Sequence, residues 1–185
     1  MSDALWMAAA VAAVLGFWAL GAHNRLVALR NAVAGAWAQA DEAQRRRAEG
    51  TEQLLGALRG PLSAEQGALD ALWAAQAQSA RAAGGMTARP LLAANALAWT
   101  EAESRLGAAA ARVFALADGH ASALTDEAAA ATVAAARQAW SEGSERLGFA
   151  RRLYNDAAAA YDEAIATFPT SLLVPVFGFG PVGRI

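Results

Sequence analysis

Residues Trp140 to Phe168 read WSEGSERLGFARRLYNDAAAAYDEAIATF. Trp140, Leu147, Tyr154, Tyr161 and Phe168 fall seven residues apart, and Gly143, Ala150, Ala157 and Ala164 each come three residues after one of the first four. Large and small side chains therefore alternate along one stripe. A repeat of about 3.5 residues is the a/d seam of a helix that packs closely against other helices. Core packing explains such a stripe better than a cofactor-stacking surface.

The rest of the chain divides the same way. Leu26, Leu29, Val33 and Trp37 recur at steps of three and four, which lines one helical face up to Arg59. Gly60-Pro61 ends that helix, because proline cannot continue a hydrogen-bonded turn. Ser63-Ala64-Glu65-Gln66 has the spacing of a capping box and predicts a second helix to about Ala83, broken by Gly84-Gly85. Thr87 and Pro90 suit the start of a third helix running to Ala117, and Asp118-Gly119-His120 is a turn signal. A fourth helix begins at Thr125, with Asp126 and Glu127 placed to suit the helix dipole, and stops before Phe168-Pro169. No segment sustains strand alternation. The expected fold is all-α: an antiparallel bundle of about four helices joined by short turns.

Upstream, Ala4 to Ala22 reads ALWMAAAVAAVLGFWALGA without a charge, about the 20 residues a helix needs to cross a bilayer. Trp6 and Trp18 stand towards its two ends, where aromatic rings favour the interfaces. A signal peptide would carry a basic leading segment, but Met1-Ser2-Asp3 has none, although Leu20-Gly21-Ala22 has the small residues of a cleavage site. Arg25 and Arg30 follow the span and nothing basic precedes it, which predicts the bulk of the chain on the cytoplasmic side. No breaker pair separates the span from the first bundle helix, so the two can form one rod. The expected organisation is an anchor over 1–23, a helical domain over 24–168 and an apolar tail over 169–185. The tail, Leu172 to Phe179, is too short and too interrupted by Pro and Gly to span. Two placements stay open for it: the headgroup layer, or the end of the bundle.

Composition narrows the chemistry. The 185 residues carry 15 basic and 17 acidic side chains, and every basic one is arginine. A net charge of −2 gives no basic field for nucleic acid. There is no cysteine and only two histidines, His23 and His120, which leaves no thiolate site, no His-rich metal centre and little material for a catalytic triad. No phosphate-binding loop occurs, and Phe177-Gly178-Phe179-Gly180 follows no strand. Glu101 and Glu103 do not share a helical face; Glu142 and Glu145 can neighbour each other but suit a solvated surface. No cofactor is expected.

Two arginine clusters remain. Arg45, Arg46 and Arg47 follow Asp41 and Glu42. Arg45 lies roughly 35 Å beyond the span along a straight helix, too far for lipid, so a partner protein is the functional reading and a solvated face the plainer one. Arg151 and Arg152 sit beside seam aromatics, next to Leu153-Tyr154-Asn155-Asp156, and predict bonds to the first helix.

These segments carry a resemblance. His23 to Asn31, Ala36 to Asp41 and Gln44 to Arg47 resemble the start of the LemA family; Glu145-Arg146-Leu147, Ala150 to Asp156, Tyr161, Phe168-Pro169 and Phe177-Gly178-Phe179 resemble its end more closely. Thr51-Glu52-Gln53-Leu54-Leu55 departs from the family's usual Ile-Pro-Asn-Leu-Val, Asp162 stands where the family has Asn, and the middle third matches weakly. The resemblance implies a bacterial membrane protein with one N-terminal span, a helical bundle and no established catalytic activity. It implies work beside another membrane protein, such as an HtpX-type protease. The expected role is a membrane-anchored, non-catalytic scaffold in the cytoplasmic membrane. The alternative is a membrane-shaping or lipid-binding module that self-associates.

Overall fold

The structure is a computed structural model and describes residues 2–120 and 127–185. It is helical, with no strand among the described residues. Its elements are α1 (Ser2–Leu58), a 3-10 turn (Ser63–Glu65), α2 (Gln66–Ala88), α3 (Ala93–Gly119), α4 (Glu127–Ala166), a second 3-10 turn (Thr170–Leu172) and α5 (Val174–Phe177).

Helix α1 is one rod of 57 residues, about 85 Å long at the α-helical rise. It passes unbroken through Thr51–Leu55, where the family's proline would sit. Its N-terminal part is long and apolar enough to cross a membrane, and none of that apolar window is buried. Leu26 is the first buried residue along it.

From there inwards, Val33, Trp37, Ala40, Gln44, Arg47, Thr51, Leu54 and Leu58 are all buried, at alternating steps of four and three. Helix α4 lies against this stripe in the opposite direction. Trp37 meets Tyr154 edge-on at 6.5 Å. Gly143 lies on Arg47, and Gly50 on Ala139. Helix α2 also runs opposite to α1, through Gln44 to Ser79 and Trp37 to Thr87.

The second helix is longer than its glycines predict. It continues through Gly84-Gly85 to Ala88, taking in Thr87. Asn95 Nδ2 donates to the Gly85 carbonyl at 2.7 Å, and the Asn95 side chain packs where a Cβ of Gly85 would point. The turn comes instead at Arg89-Pro90, where the residue before a proline is pushed out of the helical region. Helix α3 therefore starts at Ala93. The Ser63–Gln66 capping box does not form: no side chain caps that turn, and Gln66 Nε2 reaches back to the Arg59 carbonyl at 3.4 Å. Thr125 and Asp126, the expected start of the fourth helix, lie outside the described residues.

The tail docks on the helices. After α5, Gly178 takes a left-handed conformation (φ 66°) that a side chain would strain, and closes the turn onto the Val174 carbonyl. The chain then runs back along α4. Val182 N donates to Asp162 Oδ1 at 3.0 Å, and Asn155 holds Ile185 through both backbone groups at 2.7 and 3.0 Å. Val182 joins the core.

Candidate functional site

The buried side chains form two apolar clusters. One, nearer the apolar N-terminal part of α1, is built on Trp37, Trp99, Met86, Tyr154 and Tyr161. The other, at the far end, is built on Leu54, Leu58, Leu72, Leu106 and Val113. Between them lies a buried polar layer: Gln44, Arg47 and Thr51 from α1, Gln76 and Ser79 from α2, and Glu103 from α3.

The layer is one connected set of bonds. Trp99 Nε1 donates to Gln44 Oε1 at 2.7 Å, Gln44 Nε2 to Ser79 Oγ at 3.2 Å, and Ser79 Oγ to Glu103 Oε1 at 2.6 Å. Arg47 Nη2 meets both Glu103 oxygens at 2.7 Å. Thr51 Oγ1 donates to the Arg47 carbonyl at 3.2 Å and to Gln76 Oε1 at 3.4 Å. The Arg47 guanidinium also stacks over Trp140, 4.8 Å from the ring centre. Each charge is paired, as burial demands. Arg47 Nε is buried without a partner.

Gly143 makes room for it. A Cβ there would sit 2.8 Å from Arg47 Cβ. Arg151 approaches from the other side, its guanidinium 4.9 Å over Trp99. Burial lowers its pKa, the charge of Glu103 opposes that fall and the charge of Arg47 adds to it.

The expected site residues separate. Arg45 and Arg46 are exposed and pair with Asp41 and Glu42, one turn earlier on α1. Arg47 is the correction: it points inwards and presents nothing to a partner, because the heptad register carries it to the core. Arg151 reaches α3 rather than the first helix, and Arg152 stacks near Phe149 on its own helix. Of the seam, Leu147, Tyr154 and Tyr161 are buried and Trp140 is half-buried against Phe114. Phe168 lies beyond the end of α4 and is 75% exposed, so the stripe ends one position short of the expected five. Trp6 and Trp18 lie on the apolar N-terminal part of α1, 77% and 36% exposed.

Gln76, Ser79 and Trp99 carry no motif in the sequence, Gln44 enters there only through the family resemblance, and Glu103 only as a dispersed carboxylate. The register holds the missed signal: polar residues stand at positions where steps of three and four call for apolar ones. Among the described residues no cluster of histidines and acids could hold a metal ion. His120 Nδ1 lies 2.9 Å from the Leu116 carbonyl, and Asp118 is engaged by Arg137. Ser79 is fully buried, so its hydroxyl faces no solvent-borne substrate. The layer pairs and aligns helices, and its Gln44 and Gln76 also line a cavity of about 380 Å³ between α1 and α2. A lone buried polar group in a helical seam fixes register at some cost in stability, and this connected layer can do the same for α1, α2 and α3.

No curated protein matches the chain. The sequence profile of the LemA family, however, matches residues 36–183, from the part of α1 that enters the core to the docked tail, and the chain belongs to that family.

Proposed function

We propose that this protein is a non-catalytic interaction scaffold, tethered in the bacterial cytoplasmic membrane by one pass of α1. Its α1–α4 form an up-and-down antiparallel bundle on the cytoplasmic side. One observation carries the reading: none of the apolar N-terminal window of α1 is buried, while the same helix continues unbroken into the core. An apolar surface of that length needs a solvent other than water, and a bilayer core matches its span. The two arginines after the span, Arg25 and Arg30, support the orientation. The connected polar layer supports a structural rather than a chemical role. Arg45 and Arg46, exposed on α1, are the side chains through which another membrane protein, for example an HtpX-type protease, would be met.

The test is extraction of the tagged full chain from its native membrane in mild detergent, with mass spectrometry and mass photometry of the eluate. A stoichiometric membrane partner that is lost on Arg45→Glu and Arg46→Glu is the expected result. Only self-assemblies with co-purifying lipid would favour the second reading, a lipid-binding homo-oligomer. That reading draws on the exposed apolar residues of the tail, Leu172, Val176 and Phe177.

A further inference from the structure

The end of the body nearest the span holds a cavity of about 310 Å³ lined by Arg30 of α1, the α2–α3 turn from Ala88 to Leu92, Tyr161 of α4 and the tail from Gly178 to Pro181. Two cations stand at it, Arg30 and Arg89. Among the described residues neither has a carboxylate within ion-pair distance. Asp162, which acts on Tyr161 in the cavity wall, is engaged by Arg184 at 2.8 Å and by the Val182 amide. The cavity therefore carries a net positive charge. The Tyr161 ring closes its floor; burial raises the pKa of that hydroxyl, against the charge of Arg30 and the Gly180 backbone.

Its height above the membrane follows from α1. Arg30 is eight residues beyond Ala22, or about 12 Å at the helical rise. Side chains of a helix lean towards its N-terminus, which here is the membrane side. That places the guanidinium at headgroup depth, given headgroup layers that widen a 30 Å core to roughly 40–45 Å. The same measure puts Arg45 well out of reach.

A second feature fixes the same level. The Phe177 ring lies 4.6 Å from that of His23, the residue directly after the apolar run. In the same tail and at the end of α4, Phe168, Leu172 and Val176 are 75%, 63% and 74% exposed. Apolar side chains left open at that depth suit the boundary between headgroups and acyl chains.

We propose that this cavity seats the phosphate of an anionic phospholipid from the bilayer that α1 crosses, held by Arg30 and Arg89, while Phe168, Leu172, Val176 and Phe177 rest among its acyl chains. The planar fork of a guanidinium matches two oxygens of a phosphate. The site rests on the membrane-anchored reading above.

The test uses the full chain in nanodiscs made of phosphatidylcholine alone or of equal parts phosphatidylcholine and phosphatidylglycerol. Retained lipid is counted by native mass spectrometry, and hydrogen exchange is followed over 174–181. The wild type is expected to retain phosphatidylglycerol selectively and to exchange more slowly over that segment when it is present. Arg30→Gln/Arg89→Gln should weaken retention roughly fivefold per arginine, while Arg105→Gln, exposed on α3 and paired with Glu101, leaves it unchanged. Equal retention in all three proteins, or equal exchange in both lipids, overturns the site. Inorganic phosphate slowing exchange as well as the lipid does would assign the cavity to a free anion and overturn the lipid. Release of the wild type from membranes by alkaline carbonate would remove the anchor itself, and the lipid site with it. A chain that stays embedded yet ignores lipid charge would remove the site alone.

Discussion

Arg47 on α1 and Glu103 on α3 form an ion pair at 2.7 Å with 7% and 4% of their side chains exposed, in the layer that separates the two apolar clusters. Removing one partner strands the other charge in the core. Glu103→Ala is expected to lower stability by about 3–5 kcal/mol, whereas Arg47→Met with Glu103→Leu should recover most of that loss. Denaturant unfolding of both variants in detergent checks this; a single and a double variant of equal stability would contradict the account.

Gly143 and Gly148 predict opposite signs within one helix. A Cβ at 143 meets Arg47 at 2.8 Å, and its backbone at 3.2 Å, where little can give; at 148 nothing lies within 4 Å. Gly143→Ala should destabilise, because overpacking costs about 1–3 kcal/mol against a helix-propensity gain of roughly 1 kcal/mol. Gly148→Ala should stabilise by about 0.5–1 kcal/mol. Thermal midpoints of the two variants moving in the same direction would refute the packing argument.

Tyr154 makes stability fall at high pH. Burial pushes its hydroxyl up to about 12, from 10.0, and that hydroxyl donates to the Pro90 carbonyl. A raised folded-state pKa means the contribution is complete below pH 10 and is lost as pH climbs towards 12. Unfolding free energy should therefore drop across that window. Tyr154→Phe should flatten the drop and cost about 1 kcal/mol at neutral pH for the lost bond. An identical alkaline profile in the variant would show that another group governs it.

Gly183 keeps the tail docked. Its Cβ would lie 2.6 Å from Ala93 Cα and 2.8 Å from Ala96 Cβ. Gly183→Ala should push residues 178–185 away from α3 and uncover Val182. Faster amide exchange at Val182 and Ile185, with α4 unchanged, is the expected readout; unaltered protection would mean the tail adjusts in place.

The α4 seam, the apolar run and the Gly60-Pro61 stop were legible because each is a local rule: a repeat, a length, a missing N–H. They yielded the helical class, the candidate span and the end of α1. Gly84-Gly85 misled for a physical reason. Glycine only weakens a helix, and Asn95 on the next helix holds that turn closed, so the break waits for Arg89-Pro90.

The sequence by itself determined which faces of the helices are apolar and where the chain can leave a membrane, since periodicity and hydropathy belong to each segment alone. Only the tertiary structure decided that Arg47 is core and Arg45 surface, that Glu103 is the acid it meets, and that the tail folds back onto Asn155. Those outcomes depend on which helix lies opposite. A charge in a heptad position can be buried only where another helix supplies its counter-charge, and no single segment contains that information.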